Sequence, residues 1–62
     1  MKELLRTDAL WTDGVDREFR IISLVSDLEG HDWVFYCNTR THEEYSCWQD
    51  SFLHRFQPKA VS

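Results

Sequence analysis

Two glycines and one proline are all the strong backbone punctuation in this 62-residue chain. The chain has no low-complexity tract and no internal repeat. The scarcity of punctuation makes Gly14, Gly30 and Pro58 informative, because each falls where a hydrophobic segment stops. Long apolar runs are missing as well. Nothing approaches the roughly 20 residues a helix needs to cross a bilayer, and Met1–Asp8 has only the Leu4-Leu5 pair among Lys2, Glu3, Arg6 and Asp8. Such a segment lacks the apolar stretch of a secretory signal peptide. Basic charge is also short: 7 Lys and Arg stand against 11 Asp and Glu, a net charge of −4. This disfavours sequence-independent nucleic-acid binding, which depends on phosphate neutralisation, and disfavours anionic membranes. There are only two cysteines, and in the expected cytoplasmic location they stay reduced.

What the chain does have is aromatic volume. Nine residues are Trp, Phe or Tyr, and Leu, Ile, Val and Phe together number 16 of 62. A chain this short buries only about 60% of the surface its unfolded form exposes. Large rings, each able to bury about 150–250 Å², offset that handicap. The expectation is a single β-rich domain over residues 1–62, with 58–62 as a flexible tail.

Four segments read as strands. The first lies at the end of Leu4–Trp11, before the turn residues Thr12-Asp13-Gly14. Glu18–Ser26 follows, with apolar residues at both parities, as in a central, strongly curved strand or one bulged near Ile21-Ile22. Asp32–Asn38 sets Trp33, Phe35 and Cys37 on one face and Val34, Tyr36 and Asn38 on the other. Glu43–Trp48 is the fourth, after a polar turn at Asn38–His42. The period then changes: Trp48, Phe52 and Phe56 recur every four residues, which predicts a helical turn or two, capped by Asp50 or Ser51 and ended by Pro58. Four to five strands with one short helical turn near the C-terminus predict a mainly β fold, a small SH3-like antiparallel barrel or a curled sheet.

Chemistry-bearing clusters are few. Cys37, His42, Cys47 and His54 are metal-ligating residue types, but their C-x4-H-x4-C-x6-H spacing lacks the closely paired ligands of structural zinc sites. A hairpin centred on His42 would make Cys37 and Cys47 cross-strand neighbours, either as packed thiols or as a disulfide. Glu43-Glu44 do not share a strand face. No G-x-S-x-G, glycine-rich phosphate loop or H-E-x-x-H occurs. The expectation is therefore a protein that is not an enzyme, with no cofactor, no catalytic or metal residue and no small-molecule substrate.

The run Leu10-Trp11-Thr12-Asp13-Gly14, with Arg17-Glu18-Phe19-Arg20-Ile21-Ile22 and Trp33-Val34-Phe35-Tyr36, resembles the small β-barrel domains of retroviral-integrase-like bacterial transposases. The Cys47, Phe52, Arg55, Phe56 ending is similar to short phage-encoded proteins of unknown function. Both resemblances cover about forty residues and rest on hydrophobic pattern. They imply a barrel and a mobile-element origin, and neither implies a catalytic residue.

Alternation cannot bury all nine rings, and exposed Trp or Tyr beside Arg is the composition of a binding hot spot. Arg20, Tyr36, Arg40, Tyr45 and Trp48 are the candidate binding residues. The function expected is a non-catalytic interaction module for a protein partner or for self-association. The alternative is a nucleic-acid-associated module of a phage or transposable element, for which Arg17, Arg20, Arg40 and Arg55 would have to converge beside the rings.

Overall fold

β-branched and aromatic residues crowd positions 19–48, and such side chains favour the pleated, half-buried surface of a sheet. In the computed structural model, which describes residues 5–59, they form an antiparallel meander of β1 (Leu10–Thr12), β2 (Glu18–Ser26), β3 (Asp32–Asn38) and β4 (Glu44–Trp48). The helix α1 (Gln49–Arg55) comes next, and β5 (Gln57–Pro58) returns to pair with β1. The sheet order is β4-β3-β2-β1-β5. Its two end strands, β4 and β5, do not pair with each other, so the curled, open sheet forms rather than a closed barrel.

A carboxylate or amide side chain organises each turn of the meander. Asp13 Oδ1 accepts the backbone N–H groups of Val15 at 2.9 Å and Arg17 at 3.2 Å. Asp27 Oδ1 accepts those of Glu29 and His31, both at 2.9 Å. Asn38 Oδ1 accepts those of Arg40 at 2.8 Å and Thr41 at 3.1 Å. Short polar side chains compete for local backbone donors in this way, which is why they favour turns. Gly14 and Gly30 supply the left-handed backbone in the first two turns, at φ +85° and +87°; His42 takes it in the third, at +66°.

The third turn corrects the expected register. Because Asn38 closes it around Arg40 and Thr41, Cys37 lies opposite Glu44 and Cys47 opposite Val34. Cys37 and Cys47 are therefore on opposite faces of the sheet, not neighbours on one. In β2 the bulge falls at Ile22: Ile21 pairs with Tyr36, and the next pair is Ser23 with Phe35. The extra residue switches the parity of the strand. Phe19 and Ile21 point to the core before it, and Leu24 does so after it.

The buried set is Leu5, Trp11, Phe19, Ile21, Val34, Tyr36, Phe52 and Phe56. α1 covers this face, with the Phe52 ring centre 5.1 Å from Trp11, 5.0 Å from Tyr36 and 4.8 Å from Phe56. The expected caps Asp50 and Ser51 do not begin the helix. Trp48 occupies that position, with extended backbone and no side-chain cap, and Asp50 sits inside the first turn, where a negative charge suits the helix dipole. Nor does Pro58 begin a tail. It faces Trp11 in β5, and Lys59 N–H donates to Leu10 C=O at 3.0 Å. Proline is tolerated there because β5 is an edge strand. Residues 1–4 of the N-terminal segment and residues 60–62 of the expected tail lie outside the described residues.

Candidate functional site

Alternation on three adjacent strands produces a second apolar surface on the side of the sheet away from α1. β3 contributes Trp33 and Phe35; their partners Val25 and Ser23 in β2, and Trp48 and Ser46 in β4, face the same way. The bulge adds Ile22. Ile22 is 40% exposed, Val25 46%, Phe35 40% and Trp48 48%, and no described element lies over them. Lone exposed apolar residues are ordinary on a protein surface; here four lie together on three adjacent strands.

The Trp33 and Trp48 end of this face is held in a defined shape. The two indoles meet edge to face with ring centres 6.2 Å apart, and His31 stacks on Trp48 at 4.7 Å and 11°. Trp33 Nε1–H donates to Asp27 Oδ2 at 3.0 Å. That bond, followed by the His31 and Glu29 backbone donors, holds the Asp27 carboxyl below its ordinary pKa. His31 Nδ1 lies 3.6 Å from Asp27 and 3.7 Å from Glu29, and Trp48 shares a shallow hollow with Asp32 and Asp50. At the opposite end stand Arg20 and Glu44, each paired with Cys37 across its own strand boundary.

The five candidate binding residues do not form one surface. Arg20 and Trp48 belong to the open face. Tyr36 is a core residue, 4% exposed, whose hydroxyl pKa burial raises, with Cys47 adding to the shift. Tyr45 stands over the opposite rim, 40% exposed, its ring 5.6 Å from Tyr36 and its hydroxyl donating to Glu43 at 3.2 Å. Loss of solvation, then Glu43, raises the pKa of that hydroxyl. Arg40 lies in the β3–β4 turn.

The arginines are distributed in the same divided way. Arg17 and Arg55 flank a hollow of about 270 Å³ floored by Tyr36, Tyr45 and Phe56. Arg17 is tied to Asp13 at 3.3 Å, and Arg55 lies 5.1 Å above the Phe56 ring. A larger hollow of about 590 Å³ gathers Arg17, Arg40 and Lys59, but Asp16 and Glu18 share it. Glu18 accepts from both Lys59 and Thr39, and the Lys59 contact is the larger cause of its lowered pKa.

Sequence reading missed Ile22, Val25, Trp33 and Phe35 as one surface. The signal was available in the apolar residues at both parities of β2 and β3, set against a single helical segment able to cover only one face. Among the described residues no three His, Cys, Asp or Glu side chains come together as metal ligands, and the opposed cysteines cannot join His42 and His54 around one ion. No described helix is long and apolar enough to cross a membrane. The chain matches no protein-family model, no curated protein and no solved structure.

Proposed function

We propose that this domain is a non-catalytic interaction module that binds a protein partner through the open face of its sheet. The observation that carries this reading is the contiguous exposure of Ile22, Val25, Phe35 and Trp48 on three adjacent strands. A sheet with apolar residues on both faces ordinarily carries a layer on each. Here α1 supplies one layer, and the partner supplies the other. Arg20 and the Trp33–Trp48 pair are the anchoring groups, since Trp and Arg are enriched among residues that dominate binding energy. The nucleic-acid alternative lacks comparable support, because each hollow that gathers basic side chains also holds carboxylates.

Titration with a panel of amphipathic helical peptides, followed by backbone and indole NMR shifts, tests the reading. Shifts at Val25, Trp33, Phe35 and Trp48 are expected, and the double substitution Val25→Ser with Phe35→Ser abolishes them. Shifts confined to the Tyr45 hollow, or none with any peptide, overturn it.

A further inference from the structure

The open face is apolar at its centre and acidic around one end. Asp27 and Glu29 flank His31, which stacks on Trp48; around the end of the sheet Asp32, on the α1 side by alternation with Trp33, and Asp50 of α1 line a hollow beside the same indole. At the far end stand Glu44 and Glu18, with Arg20 and with Lys59, which is paired to Glu18. Two of these carboxylates are fixed in place. Asp27 holds two backbone N–H groups and the Trp33 indole, and Asp32 accepts from Ser26 Oγ.

Resting on the docking reading above, we infer that the occupant of this face is a cationic amphipathic segment, with apolar side chains over Val25, Phe35 and Trp48 and Lys or Arg side chains reaching Asp27 and Glu29. Charge complementarity selects this partner over a second copy of the chain. A two-fold interface sets the same patch against itself. One such pairing places the acidic end against its own image. The reverse alignment offers the acidic end Arg20, which is accompanied by Glu44, and Lys59, which is already paired with Glu18. Like charges brought together across an interface disfavour association, whereas opposite charges speed encounter and fix orientation. The acidic balance of the whole chain, −4, adds to both effects.

The probes are two 18-residue helical peptides with the same leucine stripe, one bearing lysine on its polar face and the other glutamate. Binding is read by the indole and amide NMR shifts of the intact chain at low and at physiological salt. The lysine peptide is expected to bind at Val25, Trp33, Phe35 and Trp48 at least ten-fold tighter than the glutamate peptide. The substitution Glu29→Gln should weaken it by about two- to three-fold, the range expected for one exposed ion pair. Val25→Ser with Phe35→Ser leaves every charge in place and should remove binding, which separates docking from loose attraction to an acidic protein. If both peptides bind this face equally, the cationic assignment falls and the docking reading stands. A dimer in sedimentation that the Val25/Phe35 substitutions dissociate has the same consequence. If neither peptide shifts this face and the chain stays monomeric, both fall together.

Discussion

On the covered face Trp11, Phe19 and Tyr36 of the sheet pack ring against ring with Phe52 of α1 and Phe56; on the open face Trp33, Phe35 and Trp48 have no described layer above them. Both sets come from similar residues, and in β3 from alternate positions of one strand. The difference lies in the stretch of chain after β4. α1 is only seven residues long and leaves β4 toward one side, so the Trp48-Phe52-Phe56 repeat delivers Phe52 and Phe56 to that side and leaves Trp48 on the other. Among the described residues no second layer covers Phe35 and Trp48, and the proposed docking rests on that exposure.

The largest expected effect breaks this comparison at its covered side. Phe52 is fully buried among Trp11, Tyr36 and Phe56. Replacing it with alanine should cost about 3–5 kcal/mol, as truncation of a core aromatic does. That approaches the whole stability of a small domain, about 5 kcal/mol at the low end. Phe35→Ser, one face away, should change stability by less than about 1 kcal/mol, in the manner of a half-exposed site. Urea unfolding of the two variants measures the contrast directly. Comparable losses in both would mean that the open face is covered in the isolated chain.

Much of this architecture is legible in the sequence because it rests on local signals. The alternation of Trp33, Phe35 and Cys37 against Val34, Tyr36 and Asn38 is a property of any extended strand, and the four-residue period after Trp48 identifies α1. The apolar residues at both parities of β2 anticipate a bulge near Ile21-Ile22, where it falls, although the choice between a bulge and a central or strongly curved strand depends on pairing with β3. The hairpin register was not legible by counting from His42. The Asn38 side chain closes that turn earlier, a local signal that outweighs symmetry about the loop. That some aromatic side chains stay exposed was legible from alternation, but not which of them share a surface. Trp48 and Arg20 face outward as required, but Tyr36 is core, and Tyr45 and Arg40 lie elsewhere, because placing residues on one surface requires the register of β3 with both neighbours.

A smaller effect comes from acid. Backbone donors, the Val15 N–H first, lower the Asp13 pKa, and the Trp33 indole N–H is the first cause of the lowered Asp27 pKa. A carboxyl whose folded pKa lies below its unfolded value stabilises the fold above that unfolded value. The contribution is lost as pH falls through the folded one. Stability should therefore be flat from neutral pH down to the ordinary carboxyl range and decline below it. The two faces should respond in sequence: the Trp33 indole N–H resonance, which reports the Asp27 bond on the open face, should move before that of buried Trp11. Simultaneous movement would show that acid unfolds the whole chain rather than loosening one end of the open face.

The cysteines provide the mildest test, since each reports a different face without disturbing the fold. Cys37 faces outward opposite Glu44, and Cys47 faces inward opposite Val34. Side chains that leave a sheet in opposite directions cannot be bridged without moving the backbone, so mild oxidation of the folded chain should yield no internal disulfide. Alkylation sharpens the distinction further. Burial pushes the Cys47 thiol pKa up, against a smaller opposing pull from Arg55, and the thiolate is the reactive species. Iodoacetamide should therefore modify Cys37 first in the native protein and both residues at similar rates in urea, as followed by peptide mass mapping. Faster labelling of Cys47, or a rapid internal disulfide, would contradict the opposed placement of the two thiols. It would thereby undo the register that brings Val25, Phe35 and Trp48 together.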